Sequence, residues 1–475
     1  MLACDGDVPL LTRRAFVGGS LAALAGCAQG SRLQTATIDE TPPIDDLQER
    51  TFRFFWDTTN PKNGLAPDRW PTRSFASIAA VGFALTAYPI GVIHGWISRA
   101  QARARTLTTL DFFANAKQGP EPSGTSGYKG FFYHFLDMET GERWKTSELS
   151  TIDTTLLLGG VLFAQSWFDS DHPDEVRIRA LADRIYGAVD WNWPRPSYPF
   201  ISMGWHPEEG FLHADWSQFN EALLLYVLAL GSPTHPVEAG TQEEVTARFQ
   251  PQWGGEYGEP RLVFPSLFVY QYSNLWIDCR GIQDVFTRAH GIDYFENSRR
   301  ATYAQRDYAI ANPKGWIGYG PDIWGLTACD GPGHITRQFG GVARTFASYA
   351  ARGPGGLDDG TIAPTAAAGS IAFAPDIVLP AIGAMHARYG SAIYGKYGFL
   401  DSFNPTLSAG PPPPKGRIVE GLCWVDDDYL GIDQGPIVGG IENWRSGMIW
   451  STMRKNPHLR RGLIRAGFSG GWLAA

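Results

Sequence analysis

The chain has 475 residues, 44% of them hydrophobic, so it is long enough to bury a large core in one domain or in several. Its formal net charge of −8 argues against a nucleic-acid partner, because no basic stripe can neutralise phosphates. The 17 Trp, 18 Tyr and 27 Phe residues fit either a large core or surfaces that stack on sugar rings.

The first 27 residues predict an export signal. Residues 12–17 are typical of a twin-arginine motif, an apolar run follows over 17–25, and residues 24–27 resemble a lipobox. The run is too short to span a bilayer, which favours a removable signal. We therefore expect a periplasmic protein that is tethered to a membrane by a lipid on Cys27, with residues 28–43 as a linker.

From residue 44 onward, amphipathic helical patterns alternate with nearly all-apolar ones. The clearest face runs from Phe75 to Leu85, at i, i+3, i+4 and i+7 spacing. The other predicted helices cover approximately 44–59, 96–115, 150–168, 174–190, 217–230, 281–290, 298–311, 338–350, 374–390, 436–454 and 456–467.

About twelve helices of two alternating kinds predict an all-α protein, an (α/α)6 barrel of six inner and six outer helices. Residues 44–475 would form this single domain, with aromatic, Gly-rich loops making a cleft at one end. Short β segments are expected near 128–136 and 262–272. Cys279, Cys329 and Cys423 are too far apart for a disulfide framework and are interpreted as small core residues.

The chain contains no nucleotide-binding loop, no H-E-x-x-H and no G-x-S-x-G motif, and no metal or other cofactor is expected. What remains is a set of carboxylates in aromatic loops ahead of apolar helices. Glycoside cleavage needs two such groups, a protonated acid for the leaving oxygen and a carboxylate that activates water or attacks.

Three acids fit this requirement, and each also has a structural interpretation. Glu221 follows Ser217, a plausible N-cap, and an acid in a first turn also stabilises the helix dipole. Asp153 forms an Asp variant of a capping box with Ser150. Asp433 is itself a candidate N-cap, three residues before a proline suited to a first helical turn. Both interpretations stay open for all three.

Inner helices of such a barrel begin at one end, so their first turns converge. In the predicted count, Asp153 and Glu221 lie on even-numbered helices and Asp433 on an odd one, so either a helix is miscounted or Asp433 lies at another rim. The weaker candidates are Asp322, Asp330, Glu208 and Glu209. Residues 426–428, three successive aspartates, suggest a cation site or, more simply, a solvated acidic loop.

Aromatic and polar side chains near these acids are candidate sugar contacts. They are Trp205, Trp216, Asn220, Tyr272, Tyr319, Trp324 and Asp330.

Several blocks resemble a known family. They are residues 204–211, 219–222, 229–236, 294–302, 359–366 and 431–436. They are similar to the glycoamylase-like family, whose characterised bacterial members form glycoside hydrolase family 144, the endo-β-1,2-glucanases. Similar segments occur in cyclic β-1,2-glucan synthases. The resemblance covers approximately residues 45–468.

The resemblance implies an (α/α)6 barrel, no cofactor and inversion of the anomer by an acid–base pair acting on a β-1,2-glucan. By position, Glu221 matches the general acid and Asp433 the base, and Asp153 becomes a supporting or sugar-binding carboxylate. Tyr270 and Asn274 stand where histidines are expected, which would alter linkage or chain-end preference if they line the cleft. Transglycosylation and a non-catalytic glycan-binding lipoprotein are the alternative functions.

Overall fold

The computed structural model describes residues 44–474, which lie in one compact unit. The predicted export signal and linker lie outside the described residues. The described α-helices are α1 Ile44–Thr58, α2 Ile78–Ile93, α3 Arg99–Asn115, α4 Thr151–Trp167, α5 Pro173–Gly187, α6 Leu223–Gly231, α7 Thr241–Thr246, α8 Phe268–Trp276, α9 Val285–Ala289, α10 Tyr294–Ala311, α11 Pro364–Ala368, α12 Pro375–Tyr389, α13 Gly431–Arg445, α14 Met448–Met453 and α15 Pro457–Arg465. None of them is long and apolar enough to cross a membrane.

Short antiparallel strands connect the helices. They are β1 Arg69–Trp70, β2 Ala76–Ser77, β3 Gly127–Tyr128, β4 Phe131–Tyr133, β5 Phe135–Leu136, β6 Leu149–Ser150, β7 Gly204–His206, β8 Gly210–Phe211, β9 Trp253–Gly254, β10 Arg261–Leu262, β11 Ala328–Cys329, β12 Ile335–Phe339, β13 Val342–Phe346, β14 Ala350–Ala351, β15 Tyr394–Gly395, β16 Gly398–Phe399, β17 Phe403–Asn404, β18 Arg417–Val419, β19 Cys423–Val425 and β20 Tyr429–Leu430. The largest sheet has the order β3-β4-β6-β7-β8. Because β2, β6 and β20 run directly into α2, α4 and α13, these strands fix where those helices begin.

The core is built on apolar helices that approach closely through glycines. A Cβ at Gly82 of α2 would lie 2.2 Å from the carbonyl oxygen of Leu156 in α4, and one at Gly160 would lie 2.1 Å from the oxygen of Gly82. Helix α2 also packs on α13, where the ring of Phe83 covers Gly435. Only glycine permits these contacts, so the glycines in these apolar segments are packing residues.

Most predicted helices are present, with ends that differ by a few residues, and the β segment near 128–136 is confirmed as β3, β4 and β5. Residues 338–350 were predicted as a helix, but β12 and β13 form an antiparallel hairpin there. Its alternating exposed and half-buried side chains reflect a strand period, not a helical one. The second predicted β segment, near 262–272, is wrong for residues 268–272, which belong to α8.

Two helix starts also differ from the prediction. Helix α6 begins at Leu223 with Ala222 at its N-cap, so Ser217 is not the cap and Glu221 lies in the preceding turn. Helix α13 begins at Gly431, so Asp433 is in its first turn and Pro436 lies inside the helix. The three cysteines at 279, 329 and 423 are buried and unpaired, as predicted.

Candidate active site

A cavity of about 320 Å³ opens where the starts of several helices meet. Asp153 reaches it from the first turn of α4, Glu221 from the turn before α6, and Tyr272 from within α8. Ile432, in the first turn of α13 beside Asp433, also lines it. The starts of α4, α6 and α13 therefore border one cavity, so α13 begins at the same rim as the other two helices, although Asp433 itself is not among the lining residues.

Glu221 is a carboxylic acid without a counter-ion. Its backbone oxygen accepts a 2.7 Å hydrogen bond from the Ser273 hydroxyl, which fixes the turn ahead of α6. Among the described residues, no basic side chain forms an ion pair with Glu221. Burial raises its pKa to about 7, and the charge of Asp153 adds to that shift. Near neutral pH a large fraction of Glu221 is therefore protonated and can give that proton to a leaving oxygen.

Asp153 is held by two neighbours. The Ser150 hydroxyl caps α4 by accepting from the Asp153 amide at 3.1 Å and donates to its carboxylate at 2.5 Å, so the predicted cap is confirmed. On the cavity side, His134 Nε2 lies 3.4 Å from the other carboxylate oxygen. Burial raises the pKa of Asp153, while the charge of His134 and the Ser150 hydroxyl oppose that shift.

Asp433 is only 2% exposed, and its Oδ2 has no hydrogen-bond partner among the described residues. Its carboxylate is hydrogen-bonded to that of Asp401. Burial and the charge of Asp433 hold the pKa of Asp401 well above its ordinary range. Asp401 is therefore the protonated member of the pair, and Asp433 keeps an unpaired carboxylate oxygen.

A buried acidic cluster lies behind Asp433. It consists of Asp330, Asp401, Asp426 and Asp428, and the basic side chains of Arg69 and Lys415 contact it. Asp426 is fully buried and Asp428 is 2% exposed, so the predicted solvated acidic loop is wrong for these two residues. Asp330, Asp401 and Asp426 lie close enough to share a cation, but the Lys415 ammonium already contacts the first and lies 3.6 Å from the third.

The predicted sugar contacts divide into two groups. Trp216 and Tyr272 line the cavity. Trp205 instead lies in β7 and packs against Tyr128 and Trp193. Tyr319 donates a 2.7 Å hydrogen bond to Asp358.

The remaining three do not line this cavity. Trp324 is fully buried, so its ring cannot stack on a sugar, and that prediction is corrected. The Asn220 side chain accepts from the Ala222 amide at 3.0 Å and lines a separate cavity of about 20 Å³. Asp330 is 3% exposed and pairs with Arg69 at 2.7 Å, so it belongs to the acidic cluster.

Tyr270 and Asn274, where the resemblance led us to expect histidines, do not border the cavity. The Tyr270 hydroxyl accepts from the Phe264 amide at 2.6 Å and donates to the Leu262 carbonyl oxygen at 3.1 Å. The Asn274 amide donates to Ser298 Oγ at 3.1 Å. Both residues fix α8 against its neighbours, so their identity gives no reason to expect an altered glucan preference.

Three polar residues of the cavity were not predicted from the sequence: His134, Glu148 and Tyr349. His134 was inside a predicted β segment, and an isolated histidine carries no motif. Tyr349 fell in the segment wrongly predicted as a helix. The buried ion pair of Arg352 and Asp359 holds the chain beside it, because the Arg352 guanidinium also donates to the Ser348 carbonyl at 3.0 Å.

With this geometry established, comparison with known proteins identifies the family. The model of the Glycoamylase family matches residues 213–457, just over half of the chain. The chain belongs to the Glycoamylase family. The family resemblance noted in the sequence is thereby confirmed, and the matched region includes Glu221 and Asp433.

Several solved structures of related proteins are similar along most of this chain. A glucoamylase-like protein from Bacteroides uniformis is 30% identical, with a TM-score of 0.76 over 93% of this chain and 100% of that one. An endo-β-1,2-glucanase from Chitinophaga pinensis, solved with sophorotriose and glucose, is 28% identical, with a TM-score of 0.75 over 92% of this chain and 100% of that one.

A curated relative has a named activity. The exo-β-1,2-glucooligosaccharide sophorohydrolase (non-reducing end) of Parabacteroides distasonis is 28% identical over 454 residues, which cover 88% of this chain. The chain spans 57% of the length of that relative.

Proposed function

We propose that this protein is a glycoside hydrolase that cleaves β-1,2-glucan by an inverting acid–base mechanism. The observation that carries the proposal is Glu221, a half-buried carboxylic acid that faces a cavity together with Asp153 and forms no ion pair with a basic side chain of the described residues. The named activities of the relatives, an endo-β-1,2-glucanase and a β-1,2-glucooligosaccharide sophorohydrolase, support β-1,2-glucan as the substrate.

Glu221 would donate its proton to the glycosidic oxygen, and Asp433 would activate the attacking water. The unpaired Oδ2 of Asp433 supports this role, because a general base needs a free lone pair for the water proton. Inverting enzymes keep their two carboxyl groups roughly 6.5–9.5 Å apart, which leaves room for that water. Asp153 would accept a hydrogen bond from a sugar hydroxyl beside the reacting bond.

We further propose that the helices form an (α/α)6 barrel. The inner helices would be α2, α4, α6, α8, α11 and α13, and the outer helices would be α1, α3, α5, α10, α12 and α15. The packing supports this arrangement, since each outer helix contacts an inner neighbour, as α15 does α6 and α10 does α8. Loops at the starts of the inner helices would then form the cleft at one end.

Transglycosylation is the alternative among enzymes. It would use the same pair of carboxylates, with a sugar hydroxyl in place of water, and would give products longer than the substrate. A non-catalytic glycan-binding lipoprotein is the alternative outside enzymes. It would bind glucan without releasing reducing ends, and the counter-ion-free Glu221 argues against it because a binding site has no need of a protonated acid.

We also propose export to the periplasm and attachment to a membrane through a lipid on Cys27. The twin-arginine pattern at 12–17 and the lipobox at 24–27 support this localisation. The function itself is tested by incubating the purified protein with linear and cyclic β-1,2-glucans and separating the products.

A further inference from the structure

His134 lies between two carboxylates at the edge of the cavity. Its Nδ1 is 2.7 Å from Glu148 Oε1 and its Nε2 is 3.4 Å from Asp153 Oδ1. The ring stacks on Phe135, with centroids 3.8 Å apart and planes 21° apart, which fixes its orientation. All three polar residues line the cavity that contains Glu221, and we call them the Glu148–His134–Asp153 triad.

We propose that His134 is a positioning residue that, supported by Glu148, holds Asp153 as a carboxylate facing the cavity and thereby sets how firmly Glu221 keeps its proton. This inference rests on the proposed function, in which Glu221 is the acid. His134 itself would touch neither the leaving oxygen nor the attacking water.

The electrostatics of the triad agree with this role. Burial disfavours a charge on His134, but the carboxylates of Asp153, Glu148 and Asp68 outweigh it and raise its pKa to about 9. The ring is then a cation at neutral pH, with one N–H directed at Glu148 and the other at Asp153. Burial lifts the pKa of Asp153, and the cation beside it opposes that effect, so Asp153 is more often ionised.

The charge on Asp153 in turn acts on Glu221. Asp153 is the charged group that contributes to the raised pKa of Glu221, and Tyr272, which lies near both acids, is neutral. If His134 loses its charge, Asp153 takes up a proton more readily and repels the Glu221 carboxylate less. Glu221 then releases its proton at a lower pH, and the enzyme loses its acid sooner as the pH rises.

The first test is the dependence of kcat/KM on pH for β-1,2-glucan hydrolysis by the wild type, His134→Gln, Asp153→Asn and the double variant. In the wild type, kcat/KM should decline at high pH as Glu221 loses its proton, and we call this decline the basic limb. We expect His134→Gln to move the basic limb to lower pH by roughly half a unit or more. The same replacement should move it little in the Asp153→Asn background, because His134 acts through Asp153. The control is His213→Gln, which replaces an exposed histidine just after β8. It should leave the decline of kcat/KM at high pH unchanged.

The second test needs no activity. In protein with isotope-labelled histidine, the ring signal absent from His134→Gln should titrate well above the ordinary histidine value of about 6.5. Glu148→Gln and Asp153→Asn should each lower that midpoint. If His134→Gln does not fold, the shift caused by Glu148→Gln tests the inference in its place. A His134 midpoint near 6.5 in the wild type overturns the inference, as does an equal shift of the basic limb in both backgrounds. Failure to hydrolyse β-1,2-glucan contradicts the proposed function instead, and the titration still decides the state of the triad.

Discussion

Asp153 and Glu221 border one cavity from the starts of two neighbouring helices, α4 and α6. Burial raises the pKa of Glu221 to about 7, and the charge of Asp153 adds to that shift. Two carboxyl groups of one chemical type are thus given different tasks. For Asp153, the contacts with His134 and Ser150 oppose the rise in pKa that burial causes, whereas no cation among the described residues opposes it for Glu221.

Glu221→Gln preserves the shape of the side chain but removes its transferable proton. We expect kcat to fall by about 10²–10⁴-fold, with glucan binding and melting temperature nearly unchanged. Product release, calorimetric binding and thermal unfolding measure the three quantities. Glu209→Gln, an exposed glutamate before β8, is the matched control. A folded Glu221→Gln protein with normal turnover contradicts the assignment of the acid.

The pH dependence of hydrolysis follows from the same residue. The reaction needs the protonated form of Glu221, whose pKa lies at about 7, so kcat/KM should decline as the pH rises through that value. Initial rates between about pH 4 and pH 10 would show the decline. A rate that stays constant up to pH 9 is incompatible with Glu221 as the acid.

Asp433→Asn should lower kcat by a factor similar to that of Glu221→Gln, because the amide cannot accept the proton of the attacking water. Glucan binding should persist, since the sugar-contacting surface does not change. The control is Asp322→Asn, which changes an exposed aspartate and should leave hydrolysis normal. Equal activity of the two variants would show that Asp433 is not the base.

The ion pair of Arg352 and Asp359 is completely buried, with Arg352 Nε 2.8 Å from Asp359 Oδ1. Asp359→Asn leaves an uncompensated guanidinium in the interior, so we expect the free energy of unfolding to fall by about 3–5 kcal/mol. Denaturant unfolding measures it. Asp427→Asn breaks the exposed pair with Arg417 and should change stability little. Similar losses in the two variants would contradict the importance of burial.

Cys27→Ser removes the thiol that would accept the lipid. The variant should still be exported but should leave the membrane fraction for the soluble periplasmic fraction. Cell fractionation and metabolic labelling with a fatty acid measure the change. If the variant still fractionates with membranes, the lipid-anchor proposal fails.

Most of the fold could be predicted from helical periodicity. The apolar face of a helix repeats along the sequence, so it can be recognised without knowing which helix packs against it. Helices α4 and α12 were predicted to within a residue of their ends. The hairpin of β12 and β13 turns at Gly340 and Gly341, and the prediction of a helix over 338–350 passed over this turn signal. Helix α8 was missed because its mixed aromatic and polar segment resembles a strand.

The site was only partly predictable from the sequence, because some of its residues come from segments that only the fold brings together. Glu221, Asp153 and Asp433 could be predicted from the sequence because each is close to the start of an apolar helix. His134 and Tyr349 reach the cavity from loops and strands distant in sequence, and only the folded chain brings them together. Trp324 shows the converse error, since an aromatic residue in a Gly-rich segment is as easily part of the core as of a binding surface.

The central claim is that this protein hydrolyses β-1,2-glucan through Glu221. The most direct measurement incubates the purified wild type and Glu221→Gln separately with β-1,2-glucan, and with β-1,3- and β-1,4-glucans of similar length, and separates the products by chromatography. We predict new reducing ends and shorter oligosaccharides only from β-1,2-glucan and only with the wild type. Cleavage by Glu221→Gln at the wild-type rate, or no cleavage of β-1,2-glucan by a folded wild-type protein, would contradict this account.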